Sequence, residues 1–130
     1  MRAHVLSITV WLSLLCNCYA TPHTLEQKLV GTWVTPAITM TPPGKDAKPP
    51  KPGEPVAKFV YNADHTYVAS RSDQKATVTG TWRIESNYLI TKSAKWLSKE
   101  ERTLILRLTD RKLIFSDGQI EGHWWRLGTF

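Results

Sequence analysis

The amino-acid sequence predicts an all-β fold in which about eight short strands close into one up-and-down antiparallel β-barrel behind a short N-terminal helix. Three observations favour this fold. Apolar and polar residues alternate with a period of two over most of the chain after Gly31, as half-buried antiparallel strands require. Turn-forming pairs such as Asp117-Gly118 separate the alternating segments. A meander of this length has two unpaired edges, and closure into a barrel removes both.

The first predicted element is a short helix that begins at Thr24. Gln27 follows three residues later, which is the spacing of a capping box in which side chain and backbone satisfy each other's hydrogen bonds. Leu25 and Leu29 lie one helical turn apart and share a face. Gly31 ends the helix, and strand periodicity starts there.

The clearest predicted strand contains Val78, Trp82 and Ile84, which share one face while threonines occupy the other. The same alternation predicts strands at 31–35, 56–62, 66–71, 76–84, 88–93, 102–109, 112–116 and 119–127. A second short helix is expected over residues 92–99, where Trp96 would cover one end of the barrel.

Residues 36–55, the Pro-rich loop, interrupt the strand pattern. This segment holds seven of the eight prolines of the chain. Proline lacks the N–H that a sheet ladder needs, so we expect an irregular or polyproline-like connection between the first two strands. Three roles fit this composition: a lid over the barrel mouth, an extended segment that docks a partner, or a solvated insertion.

The N-terminal residues 1–20 have the features of a cleavable signal peptide. A charged start is followed by an apolar run over residues 5–16, and the small residues Cys18 and Ala20 occupy the −3 and −1 positions. The run is shorter than the roughly twenty residues that a spanning helix needs, so no stable membrane span is expected. Cleavage after Ala20 would leave a domain of residues 21–130 in the periplasm or outside the cell.

Both cysteines, Cys16 and Cys18, lie in the segment to be removed. The mature domain would therefore contain no disulfide and no cysteine nucleophile. Of the 17 basic residues only Arg2 is lost, which leaves 16 against 11 acidic residues. These charges alternate along the predicted strands rather than forming a basic block, so the sequence predicts no nucleic-acid binding.

No arrangement typical of catalysis or cofactor binding is visible. The histidines of the mature part, His23, His65 and His123, are too far apart in sequence to form a metal site on one element. The serines lack the glycine-rich surroundings of a nucleophile elbow. The sequence therefore predicts a protein that is not an enzyme and has no catalytic residue, metal site or cofactor.

The short helix followed by Gly31, Thr32 and Trp33, the meander and the arginine of the last strand together resemble lipocalins and related bacterial lipocalin-like domains. The segment 62–67 is also similar to a hairpin that is common in such domains. The resemblance implies that Trp33 and Arg126 form a structural pair at the closed end of the barrel. Avidins share the barrel, but residues 34–36 replace the polar residues that surround biotin in that family, so biotin binding is not implied.

By the same resemblance, the barrel would bind a small apolar ligand in its interior or at its mouth. Eight strands enclose an interior that either packs solid or holds one small molecule. The expected wall residues are the aromatic residues of the strands, namely Phe59, Tyr61, Tyr67, Trp82, Tyr88 and Trp124. The alternative is a module that binds a protein partner, such as an inhibitor of a secreted or cell-wall enzyme.

Overall fold

The computed structural model of the protein describes residues 24–37, 42–96 and 99–130. Its elements are α1 (Leu25–Leu29), β1 (Gly31–Pro36), β2 (Val56–Tyr61), β3 (Thr66–Arg71), β4 (Thr77–Glu85), β5 (Tyr88–Ser93), a 3₁₀ turn (Ala94–Trp96), β6 (Glu100–Leu108), β7 (Lys112–Ser116) and β8 (Glu121–Arg126). The predicted signal peptide, His23 and residues 97–98 of the predicted second helix lie outside the described residues.

The eight strands form a closed antiparallel barrel in the order of the chain, which confirms the predicted fold class. The bounds of every strand agree with the prediction within two residues. The second helix is shorter than predicted. Lys92 and Ser93 remain in β5, where they pair with Glu100 and Gly80. Of the described residues of the predicted helix, only Ala94–Trp96 form a helical turn, which is of the 3₁₀ type.

Helix α1 lies at one end of the barrel, which we call the closed end. The side chain of Thr24 accepts a hydrogen bond from the backbone N–H of Gln27 at 3.4 Å and so caps the helix. Leu29 is fully buried in the barrel core, and the helix contacts β4 and β6. The strand connections at residues 72–76 and 117–120 and the 3₁₀ turn Ala94–Trp96 lie at the opposite, open end.

The closed half of the barrel is filled by side chains. The core includes Trp33, Tyr61, Trp82 and Leu113, each at most 3% exposed. The indole N–H of Trp33 donates to the Leu29 carbonyl at 2.8 Å, and that of Trp82 donates to the carbonyls of Asn62 and Thr66, both at 3.1 Å. Both indoles therefore bury their N–H groups with hydrogen-bond partners.

The outer face of β1 and β8 is also apolar. Val34 and Trp125 pair across these strands and are 3% and 8% exposed, although they point away from the barrel interior. Residues 48–54 of the Pro-rich loop lie over this face and share a groove with Val34. The described part of the loop, residues 42–55, therefore lies along the outer wall and supplies no residue to the pocket at the barrel mouth, in contrast to the lid considered from the sequence.

A hydrogen-bonded contact holds the beginning of this loop to β8. The carboxylate of Glu121 accepts a hydrogen bond from the backbone N–H of Gly44 at 3.1 Å and another from Nε2 of His123 at 3.0 Å. A carboxylate only accepts, so Nε2 of His123 carries the proton. These two hydrogen bonds hold the pKa of Glu121 below its usual range, the one from His123 having the larger effect.

Candidate functional site

A pocket of about 290 Å³ opens at the open end of the barrel. We call it the mouth pocket; its lining residues are Phe59, Tyr67, Ala69, Val78, Thr91, Ser93 and Glu101. They come from β2, β3, β4, β5 and β6. All of them point inward, because the registers place each one beside a residue of the barrel interior.

Aromatic rings form the floor of the mouth pocket. The ring of Phe59 stacks on Tyr61 with centroids 5.6 Å apart and meets the edge of Trp124 at 4.9 Å. Tyr61 in turn meets Trp82 edge to face at 6.0 Å. Complete burial raises the pKa of the Tyr61 hydroxyl well above its usual range. The pocket therefore ends on a packed aromatic layer and does not continue to the closed end.

The side of the pocket formed by β5 and β6 is polar. Thr91 and Glu101 are direct register partners, and Ser93 lies two residues further along β5. Burial raises the pKa of the Tyr67 hydroxyl, a side-chain hydrogen bond with Ser93 opposes that rise, and the negative charge of Glu101 adds to it. The field of the Glu101 carboxylate thus extends to the aromatic wall.

Among the described residues, Glu101 is the one charged residue that lines the mouth pocket, and it is exposed. No described residue forms an ion pair with it within 4.0 Å. Arg71 ends β3 on the inward face, and two strands separate β3 from β6 in the barrel. Both Nε and Nη2 of the Arg71 guanidinium donate to the Asp73 carboxylate, at 3.0 and 2.9 Å. The pocket therefore has a net negative charge within a chain of net charge +6.

The structure brings together five of the six aromatic residues expected to form the wall. Phe59 and Tyr67 line the mouth pocket, while Tyr61, Trp82 and Trp124 form the layer beneath it. Tyr88 lies elsewhere: it is on the outer surface, 37% exposed, with the Arg102 guanidinium 4.6 Å from its ring centroid. Its neighbour Leu89 takes the inward position in β5.

Sequence reasoning missed the polar wall. The predicted sixth strand began at residue 102, so Glu101 was assigned to the preceding connection. The signal that could have found it is the alternation of Glu101, Thr103 and Ile105, which extends the inward face of β6 by one position.

Trp33 and Arg126 lie in contact at the closed end. The guanidinium carbon of Arg126 is 4.5 Å from the Trp33 ring centroid, and the two residues are register partners across β1 and β8. Arg126 also donates to the backbone carbonyls of Lys28, Val30 and Asp110 at 2.6, 3.0 and 2.7 Å. The pair joins α1, β1 and the connection between β6 and β7.

A larger groove of about 670 Å³ lies outside the barrel. This outer groove is bounded by residues 48–54 of the Pro-rich loop, by Val34 and Val56, and by Leu127 and Phe130 after β8. Leu127 and Phe130 are 57% and 55% exposed. The groove is therefore an exposed apolar surface whose lining also includes lysines. It shares no lining residue with the mouth pocket.

Within residues 24–37, 42–96 and 99–130, no three His, Cys, Asp or Glu side chains come close enough to share a metal ion. Over the same residues, no helix has the length and apolar character of a bilayer span.

An NMR structure of a protein from Bacteroides uniformis ATCC 8492 is similar to this chain. The two match with a TM-score of 0.55 and 18% sequence identity, over 79% of this chain and 92% of that chain. No model of a known protein family and no curated protein sequence matches the chain. At this identity the likeness shows the shared fold alone, so the chain is an eight-stranded antiparallel barrel with a solved structural neighbour.

Proposed function

We propose that the protein is an exported, lipocalin-like binding protein that takes a small ligand into the mouth of its barrel. The observation that carries this proposal is the contrast between the two halves of the interior. Trp33, Tyr61 and Trp82 fill the closed half, whereas the open half leaves a pocket of about 290 Å³ above Phe59. A concave site with aromatic walls and a few polar groups is typical of small-molecule recognition.

The size of the pocket limits the ligand. Small-molecule sites commonly have volumes of roughly 300–1,000 Å³, and the mouth pocket is at the lower limit of that range. The ligand would be a compact molecule, or the end of a longer one, whose apolar part packs on Phe59 and Tyr67. Thr91 and Ser93 offer hydroxyls to a polar group on the same molecule.

A pocket-filling substitution tests this function. Ala69 lines the pocket, so Ala69→Trp should occupy the space that the ligand needs. Val68 is the next residue of β3 and points outward, so Val68→Trp is the matched control with the same added ring. We expect N-phenyl-1-naphthylamine to show saturable fluorescence enhancement with the wild type and with Val68→Trp, and none with Ala69→Trp.

Equal binding of the dye by all three proteins would locate its site outside the barrel and contradict the proposal. A lack of saturable binding by the wild type, together with a lack of binding by the smaller compounds described in the next subsection, would reject the ligand-binding function itself.

A second function, a protein-binding module, is favoured by the outer groove. Its lining is largely apolar and includes two lysines, at positions 48 and 51, against one acid, Glu54. An extended segment of a partner protein with apolar and acidic side chains would complement this surface. Selection of a displayed random-peptide library should then enrich such sequences. Leu127→Ser with Phe130→Ser should abolish the enrichment, and Leu106→Ser, an exposed control on β6, should leave it intact.

A further inference from the structure

We infer that the mouth pocket selects ligands with a positively charged amine next to a small apolar or aromatic group. This inference rests on the proposed ligand-binding function and names the chemical class of its ligand. It is carried by the position of Glu101, whose carboxylate lines a pocket that is otherwise aromatic, aliphatic and hydroxylated.

The electrostatic argument begins with what surrounds Glu101. Within the part of the chain that the structure describes, no lysine or arginine lines the pocket, and the inward-facing Arg71 is bound to Asp73. The neighbouring acid Glu100 points outward, where Nη1 and Nη2 of Arg83 donate to it at 2.8 and 3.2 Å. Glu101 is thus the acid of this pair that is left to attract a cation, and it directs that attraction into the pocket.

The remaining groups fit an amine in geometry and chemistry. An ammonium group donates three hydrogen bonds, and the Thr91 hydroxyl beside Glu101 is an acceptor on the same wall. The Ser93 hydroxyl on that wall already accepts a hydrogen bond from the Lys95 backbone N–H at 3.2 Å. The rings of Phe59 and Tyr67, whose centroids are 6.0 Å apart, provide the opposite, apolar side. A molecule that carries both a ring and an ammonium group contacts both sides at once.

The competing classes of ligand fit less well. A ligand with a carboxylate would be repelled by the negative charge of Glu101. None of the described residues that line the pocket is a cation that could bind it. A neutral ligand would use the apolar wall and leave the carboxylate without a charged partner. The net charge of the chain is positive, so the protein as a whole repels a cationic amine. An amine would therefore be attracted by its direct contact with Glu101 and not by the overall charge.

Three compounds with the same phenylethyl group and a different terminal group test this inference: phenethylamine, 2-phenylethanol and 3-phenylpropionate. Their affinities for the purified protein can be measured by isothermal titration calorimetry near neutral pH. We expect phenethylamine to bind about five-fold more tightly than 2-phenylethanol, since an exposed charge pair contributes on this order. The carboxylate should bind most weakly.

The Glu101→Gln variant should bind phenethylamine and 2-phenylethanol equally, while its affinity for 2-phenylethanol stays at the wild-type value. Glu100→Gln is the matched control, because it removes an adjacent carboxylate on the outer face, and it should keep the wild-type preference.

Binding of all three compounds with no preference, or a preference that survives Glu101→Gln, would overturn the inference and leave the proposed function standing. Absence of binding by all three would instead count against the proposed function.

Discussion

Arg126 shows how a single side chain can join separate parts of this barrel. Its guanidinium covers the Trp33 ring and donates to the backbone carbonyls of Lys28, Val30 and Asp110. The carbonyls of Lys28 and Val30 belong to the end of α1 and the residue after it, where a helix leaves acceptors without partners. The planar fork of arginine reaches these three carbonyls from three different nitrogen atoms, whereas a lysine donates from a single nitrogen.

Substitution of this pair should therefore destabilise the fold. We expect Trp33→Ala to cost roughly 3–5 kcal/mol, the range for a large aromatic removed from a core. Arg126→Lys should cost about 2 kcal/mol, because it keeps the charge but loses most of the hydrogen bonds to carbonyls. Urea unfolding followed by tryptophan fluorescence measures both.

Arg107→Lys is the control, since Arg107 is exposed on the outer face of β6. A loss below about 0.5 kcal/mol for Arg126→Lys, the size expected at an ordinary surface position, would show that the carbonyl contacts contribute little.

Gly80 is a second residue whose identity the packing requires. A Cβ atom placed there would lie 2.6 Å from the Tyr67 ring and would collide with the Lys92 carbonyl of the paired strand. Gly80→Ala should therefore destabilise the barrel by about 1–3 kcal/mol through overpacking. Thermal unfolding measures this, with Thr81→Ala, an exposed neighbour on β4, as the control. An unchanged melting temperature for Gly80→Ala would contradict the close approach of β5 to β4.

At the scale of elements, the Pro-rich loop acts as a cover for the outer wall. The outward residues Val34 and Trp125 are as buried as parts of the core, and the Gly44 N–H fixes the loop to Glu121. The loop therefore protects an apolar face that the sheet alone would expose to water.

The contact with Glu121 makes this cover sensitive to acid. The pKa of the Glu121 carboxyl is lower in the folded protein than in the unfolded chain. The ionised carboxylate therefore stabilises the fold at pH values above its unfolded-state pKa, and this stabilisation is lost as the pH falls through its folded-state pKa. The difference in unfolding free energy between the wild type and Glu121→Gln should be largest near neutral pH and should vanish between roughly pH 5 and pH 3.

Urea unfolding at a series of pH values measures this difference, and Asp46→Asn on the same loop is the control. A difference in unfolding free energy that does not change with pH would mean that the charge of Glu121 does not stabilise the folded state.

Strand positions could be predicted because alternation is a local property. In β4, Val78, Trp82 and Ile84 share the inward face as their spacing predicts. In β5 the run of Tyr88, Leu89 and Ile90 has no alternation, so the sequence did not show that Leu89 alone of the three faces inward.

The remaining features depend on contacts between distant parts of the chain. The composition of the Pro-rich loop predicted an irregular segment, but the surface that it covers depends on Val34 and Trp125 of other strands. Glu101 was missed because a charged residue near a strand end is usually solvated. Its inward direction follows from its place in the alternation of β6 and from its pairing with Thr91.

At the scale of the whole molecule, the proposed export has a direct test. We expect the exported protein to begin at Thr21, because the small residues Cys18 and Ala20 precede that bond. N-terminal sequencing of protein recovered from outside the cytoplasm checks this. A chain that still begins at Met1, or one that starts at Cys16 or Cys18 with an attached lipid, would contradict the prediction.

The seam between β1 and β8 has a consequence for how the chain folds. Only the pairs Trp33 with Arg126 and Val34 with Trp125 form the ladder there, and the hydrogen bond from Arg126 to Lys28 joins residues 98 positions apart. Contacts of such sequence separation carry the largest loop-closure entropy and tend to form late. A chain emerging from its N-terminus completes seven strands before β8, the second partner of β1, exists. The β8 side of β1 therefore stays an open edge until β8 is made, and premature association between chains would begin there.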